Sequence, residues 1–198
     1  MENLSNESLI TSNKINGEDT MISITTQYPG ARRALFARYH IGGCSSCAYQ
    51  DGETLVQVCE RNEIVVNEVV EHILNSHLED QKMLIEPLAV KKMIDAYVVN
   101  SNETEVRFID TRTREEHEAV SIPDSYFMTQ ELQQEVFSQW DRSEKLLIVL
   151  YDHSGKSSID TCAWFIGHEM KNTVALIGGI DSWSQEVDSN IPRYRLEM

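Results

Sequence analysis

A small all-α domain followed by an α/β domain, with a mainly parallel central sheet flanked by helices, is the fold class that three observations predict. Apolar residues recur at helical spacing across residues 20–78, with no strand-like alternation between them. After that, the apolar runs VRFID, KLLIVLYD and VALIGG alternate with polar turns and helix-like stretches, which is the pattern of βαβ units. Between the two regions lies the charged stretch EDQK, so residues 79–83 read as a connector and 84–198 as the second domain.

The first 19 residues are rich in Asn, Ser and Glu without apolar periodicity, and they read as a flexible leader. Order is expected from Thr20, a helix cap. Ala31, Leu35, Phe36 and Tyr39 share one helical face, with Pro29 near the helix start. Leu55, Val58 and Cys59 mark a second helix. Val69, Val70, Ile73 and Leu74 mark a third, with Asn67 as its cap. His72 and His77 are five residues apart, which does not place them on one face, and both are expected in solvent. In the second domain REEHEA, SSIDTCAWFIGHEM and IDSWSQEV are the expected helices. Trp140, Trp164 and Trp183 are assigned to the core or its edge.

The balance of 17 Lys and Arg against 32 Asp and Glu gives a net charge of −15, which opposes nucleic acid and anionic membrane as partners. No apolar run approaches the roughly 20 residues needed to span a bilayer. The N-terminus lacks the cationic start and apolar centre of a secretory signal, so the expected location is the cytoplasm. Thiols there are usually reduced, and the four cysteines become candidates for chemistry or metal binding.

The stretch YDHSGKSS follows the strand-like KLLIVL and precedes a helix, so Asp152, His153, Ser154, Gly155, Lys156, Ser157 and Ser158 form a loop at a strand's carboxyl end. Such a loop aims several amide N–H groups at one point and suits an anion, yet it carries its own carboxylate at Asp152. A phosphotransfer role for Asp152 is disfavoured, because its charge would repel phosphate with only Lys156 and His153 to offset it. Cys162 lies on a helical stripe with Ile159, Ala163 and Ile166 and reads as a packing residue.

FIDTRTREEHEAVSIPDS and the later GGIDSW resemble the signature of the rhodanese family over about residues 84–195. Asp110, Arg112, Glu116, Ile122 and Pro123 match, whereas His117 replaces an aromatic and Val120 and Ser121 replace a Gly-His pair. The resemblance implies a rhodanese-like fold and places Asp152 where active members carry the sulfur-accepting Cys. His153 and Ser157 stand where they carry arginines. A carboxylate is a hard, weak nucleophile that cannot form a persulfide but can accept the loop's amide hydrogen bonds. The domain is therefore expected to be an inactive sulfurtransferase, with Asp152 occupying its own cradle.

Chemistry is then expected in YHIGGCSSCAYQDGETLVQVC, where Cys44 and Cys47 form a C-x-x-C pair and Cys59 follows on a helix. Neighbouring thiols favour thiolate and reversible disulfide. The array His40, Cys44, Cys47 and Cys59 also suits Zn²⁺, and three thiolates could hold an iron–sulfur cluster with an outside ligand. The segment from Thr20 to Asn75 resembles the hybrid-cluster-protein-associated redox disulfide domains, which implies redox roles for Cys44, Cys47 and Cys59. The expected function is a cofactor-free thiol-redox or sulfur relay with a protein partner, its rhodanese-like domain acting as a docking module. The alternative is a non-catalytic metal- or redox-sensing adaptor.

Overall fold

The computed structural model describes residues 14–42 and 48–194. The chain divides into two compact units between Glu79 and Asp80. The first unit contains α1 (Met21–Gln27), α2 (Ala31–Tyr39), α3 (Leu55–Arg61) and most of α4 (Val66–Gln81). Thr20 Oγ1 accepts the Ser23 N–H at the start of α1, and Thr54 and Gln57 make a reciprocal capping box at α3. One core joins Met21, Ile24, Tyr28, Leu35, Leu55, Val58, Cys59, Val69 and Ile73.

Several sequence expectations change here. Residues 1–13 of the expected leader lie outside the described residues, but Ile15 is buried in the core before the expected boundary at Thr20. Its neighbours are held by long-range bonds: the Gly17 carbonyl accepts the Val56 N–H at 2.9 Å, and the Asp19 carbonyl accepts Leu55 N–H at 3.0 Å. Asn67 lies inside the first turn of α4, where the Glu68 and Val69 N–H groups donate to the Val65 carbonyl. Phe36 is 51% exposed and stacks edge-on against His40 rather than entering the core. His72 and His77 are half-buried: His72 Nε2 lies 3.1 Å from the Ala34 carbonyl, and the His77 ring stands edge-on to Tyr28. The acidic stretch placed in a connector forms the last turn of α4 through Gln81, because EDQK contains no Gly or Pro to stop a helix.

The second unit is a five-stranded parallel sheet in the order β1-β5-β4-β2-β3, flanked by helices. Its elements run β1 (Leu84–Ile85), α5 (Pro87–Val99), β2 (Glu105–Asp110), α6 (Arg114–Ala119), β3 (Tyr126–Phe127), α7 (Gln130–Gln139), β4 (Leu146–Tyr151), α8 (Ser158–Gly167), β5 (Thr173–Leu176) and α9 (Gly179–Glu186). Side-chain alternation divides each strand between two cores. Ile109, Ile148, Leu150 and Ala175 face α7 and α8, where Val136, Cys162 and Phe165 are buried. Phe108, Val149, Tyr151 and Leu176 face α5 and α9, where Val90, Ile180 and Trp183 are buried. Cys162 is a packing residue whose Sγ donates to the Thr173 carbonyl at 3.5 Å. Trp140 and Trp183 are buried, but Trp164 is 43% exposed, because Cys162 and Phe165 occupy the inward side of α8. Among the described residues no helix is long and apolar enough to cross a membrane.

Candidate anion-loop site

Parallel pairing brings the carboxyl ends of β2, β4 and β5 to one edge of the sheet. At that edge β4 ends in Tyr151, and Asp152 is the first residue of the loop that leads to α8. The Asp152 side chain is buried and turned back into the loop. Its carboxylate accepts the backbone N–H groups of Gly155, Lys156 (3.1 Å), Ser157 (2.6 Å) and Ser158 (3.3 Å), together with the Ser157 hydroxyl. The amides that could converge on an incoming anion thus converge on one of the loop's own residues.

The Gly-Gly pair after β5 closes the loop from the other side. Gly155 has φ +75°, and a Cβ there would lie 2.5 Å from Gly178 N and 2.7 Å from the Leu176 carbonyl oxygen. A Cβ on Gly179 would lie 2.3 Å from the Asp152 carbonyl oxygen. With no side chains in the way, Ile180 N–H donates to the Asp152 carbonyl at 2.9 Å and Asp181 N–H to that of His153 at 3.2 Å. The glycines seen in two distant motifs are therefore one close backbone contact.

Beside the loop, Asp110 and Arg112 at the end of β2 form a buried pair. Arg112 Nε donates to Asp110 Oδ1 at 2.9 Å and Nη2 to Oδ2 at 2.6 Å, while the Arg112 backbone N–H also reaches Oδ1. His117 Nδ1 lies 2.9 Å from Asp110 Oδ2, and its ring packs on Phe127. Burial pushes the Asp110 carboxyl upward, but the Arg112 and His117 hydrogen bonds outweigh it and hold the carboxyl below its ordinary value. Arg112 Nη2 also donates to the Val120 carbonyl at 2.7 Å, which ties the end of α6 to the same pair. The Tyr151 hydroxyl sits 2.8 Å from Ser125 Oγ and accepts the Ile122 N–H, and burial raises its ionisation well above the usual phenol range.

Residues that motif reading did not single out complete the mouth of the site. Tyr194 lies on the His153 ring at 4.5 Å between centroids. Arg193 donates to both oxygens of Asp181, at 2.7 and 3.0 Å. His153, Asp181, Arg193 and Tyr194 line a pocket of about 360 Å³. The one sequence signal was the basic-aromatic stretch PRYR, unusual in so acidic a chain.

The expected cysteine site is reached only in part. Cys44 and Cys47 lie outside the described residues. Cys59 is fully buried in the core of the first unit, and burial pushes its thiol up. His40 is exposed at the C-cap of α2, in a left-handed conformation with φ 56°. Among the described residues no group of three or more His, Cys, Asp or Glu side chains could hold a metal ion.

A parallel sheet flanked by helices, with a glycine-bearing loop at its carboxyl edge, defines the second unit as a small α/β domain. Residues 89–186 match the family model described as "Rhodanese-like domain", and this part of the chain is a rhodanese-like domain. Similar solved structures include a rhodanese-related protein from Thermoplasma volcanium, at 20% identity and TM-score 0.40 over 52% of this chain and 91% of that one. A possible tyrosine phosphatase of unknown function from Rhodopseudomonas palustris is similar at 17% identity and TM-score 0.42, over 59% of this chain and 89% of that one. A rhodanese-like domain protein from Staphylococcus aureus is similar at 15% identity and TM-score 0.40, over 57% of this chain and 98% of that one. No curated protein matches the chain.

Proposed function

We propose that this protein is a thiol-redox or sulfur relay in which Cys44 and Cys47 carry the reactive sulfur and the rhodanese-like domain serves as a non-transferring docking module. The observation that carries this reading is the self-occupied loop: Asp152 consumes four backbone N–H groups and a hydroxyl that a reactive thiolate or its oxyanion ligand would need. Asp152 stands in place of the sulfur-accepting Cys of active rhodaneses, and a carboxylate oxygen holds no transferable sulfur. The burial of Cys59 favours Cys44 and Cys47 as the exchanging pair, since thiol exchange needs an accessible thiolate. In the relay their two thiols reduce a partner's disulfide, losing two electrons and two protons to it and closing as a Cys44–Cys47 disulfide.

Two measurements on the purified full-length chain test the reading. Thiosulfate-dependent cyanide sulfurtransfer is expected to be negligible, and mild oxidation of anaerobically prepared protein is expected to remove two titratable thiols reversibly. Turnover that survives Cys44→Ser with Cys47→Ser would overturn the non-transferring role. Stoichiometric bound metal in the anaerobic protein would overturn the relay in favour of a metal-sensing adaptor.

A further inference from the structure

The loop site has a cover. After α9 the chain is pinned at Ile191, which is buried in the core and whose carbonyl accepts the Ser184 hydroxyl at 2.6 Å. From that anchor the next residues turn back across the sheet edge. Arg193 reaches Asp181 in the first turn of α9, on one side of the Asp152 loop. Tyr194 reaches the β2–α6 side: its hydroxyl accepts from Arg112 Nη1 at 2.6 Å and donates to Glu116 Oε1 at 2.9 Å. Between these attachments the Tyr194 ring lies on His153.

We propose that Pro192–Tyr194 is a strap across the mouth of the Asp152 loop, and that its release governs access to His153. Three features make it a releasable cover rather than a permanent part of the core. The Arg193–Asp181 pair is solvated, with side chains 54% and 27% exposed, so salt screens it. The inner attachment is a single tyrosine hydroxyl, and without it Arg112 keeps its bonds to Asp110 and Val120 while Nη1 becomes free for another acceptor. Finally, His153 Nδ1 is buried with no hydrogen-bond partner among the described residues while the Tyr194 ring contacts the same imidazole, so a strap that opened and admitted water would remove a cost of the closed state. Glu116 remains a charged acceptor: burial pushes its carboxyl up, but the Thr113 N–H and the Tyr194 hydroxyl outweigh this and hold it below its ordinary value. The strap needs only this geometry, so it stands whether or not the loop transfers sulfur.

Acylation of histidines by diethylpyrocarbonate, followed residue by residue with peptide mass spectrometry on the full-length chain, tests the strap. His168, exposed at the end of α8, serves as the internal standard, and His117, tied to Asp110, reports unfolding. Relative to His168, His153 is expected to react about tenfold faster in the Arg193→Gln, Tyr194→Ala double variant than in the wild type, the size of a modest local opening. Tyr194→Phe, which keeps the ring and loses both hydroxyl bonds, should give a smaller rise, and high salt should accelerate His153 in the wild type. An unchanged His153 rate in the double variant overturns the strap. Should His117 rise in parallel there, the domain has unfolded and the decision passes to Tyr194→Phe, where an unchanged His153 rate overturns the proposal.

Discussion

Two carboxylate–guanidinium pairs flank the same loop, alike in their bidentate contact and unlike in burial. Asp110–Arg112 and Asp181–Arg193 each join through two nitrogen–oxygen bonds of 2.6 to 3.0 Å. The first pair is removed from water, with side chains 0% and 2% exposed, whereas the second is solvated. Equal geometry therefore produces unequal roles. A buried charge left without its partner has no water to turn to, so Asp110–Arg112 acts as a knot that ties the end of β2 to the turn before α6. Water and salt readily replace either partner of Asp181–Arg193, which suits a contact that must let go. Asp152 is a third case: it is buried like Asp110, but its charge is met by amides instead of a cation.

The largest effect expected from this comparison is that of Arg112→Met. It leaves Asp110 buried without its guanidinium, held by His117 and one backbone N–H, and should cost about 3–5 kcal/mol in chemical denaturation. Adding Asp110→Leu should recover much of that loss, and a single variant of near wild-type stability would break the contrast between the two pairs. Next comes Asp152→Ala, which strips an acceptor from four N–H groups at once. A loss of about 1–3 kcal/mol is expected, smaller if water enters the loop; no loss would mean that the amides are satisfied without the carboxylate.

The smallest effect lies in acid. Asp110 and Asp181 are both held below the ordinary carboxylate value, Asp110 against burial by its Arg112 and His117 bonds, and Asp181 chiefly by its Arg193 hydrogen bond. In each case the unfolded chain takes up the proton first. The contribution is therefore complete above the unfolded value of about 3.9 and is lost as pH falls through the folded value. Asp110→Asn should flatten the fall in stability below about pH 4 visibly, and Asp181→Asn much less. Equal flattening would show that burial does not separate the pairs.

Much of the second unit could be read from local pattern. VRFID, KLLIVLYD and VALIGG mark β2, β4 and β5, and a carboxylate at the start of the loop after β4 is legible without any geometry. The short strands β1 and β3 have no sequence signal, because two residues carry no alternation. Helix α5 is hard to read locally for a different reason: it ends in exposed Val98 and Val99, which blur its periodicity. In the first unit the turn of apolar residues at α2 was legible but its face was not, since Phe36 looks inward by spacing and faces water in the fold.

By itself the sequence determined the order and type of the main elements and a loop, Asp152–Ser158, that carries a carboxylate and contains no cysteine. These follow from residue chemistry and short-range periodicity, which act over a turn or a strand. Only the tertiary structure decided that Ile15 enters the core, that Cys59 is sealed within it, and that Asp152 takes the loop's amides. It also decided that Tyr194 meets Arg112 across 82 residues of chain. Such pairings depend on where strand ends and helix caps converge in space, and no local pattern records that convergence.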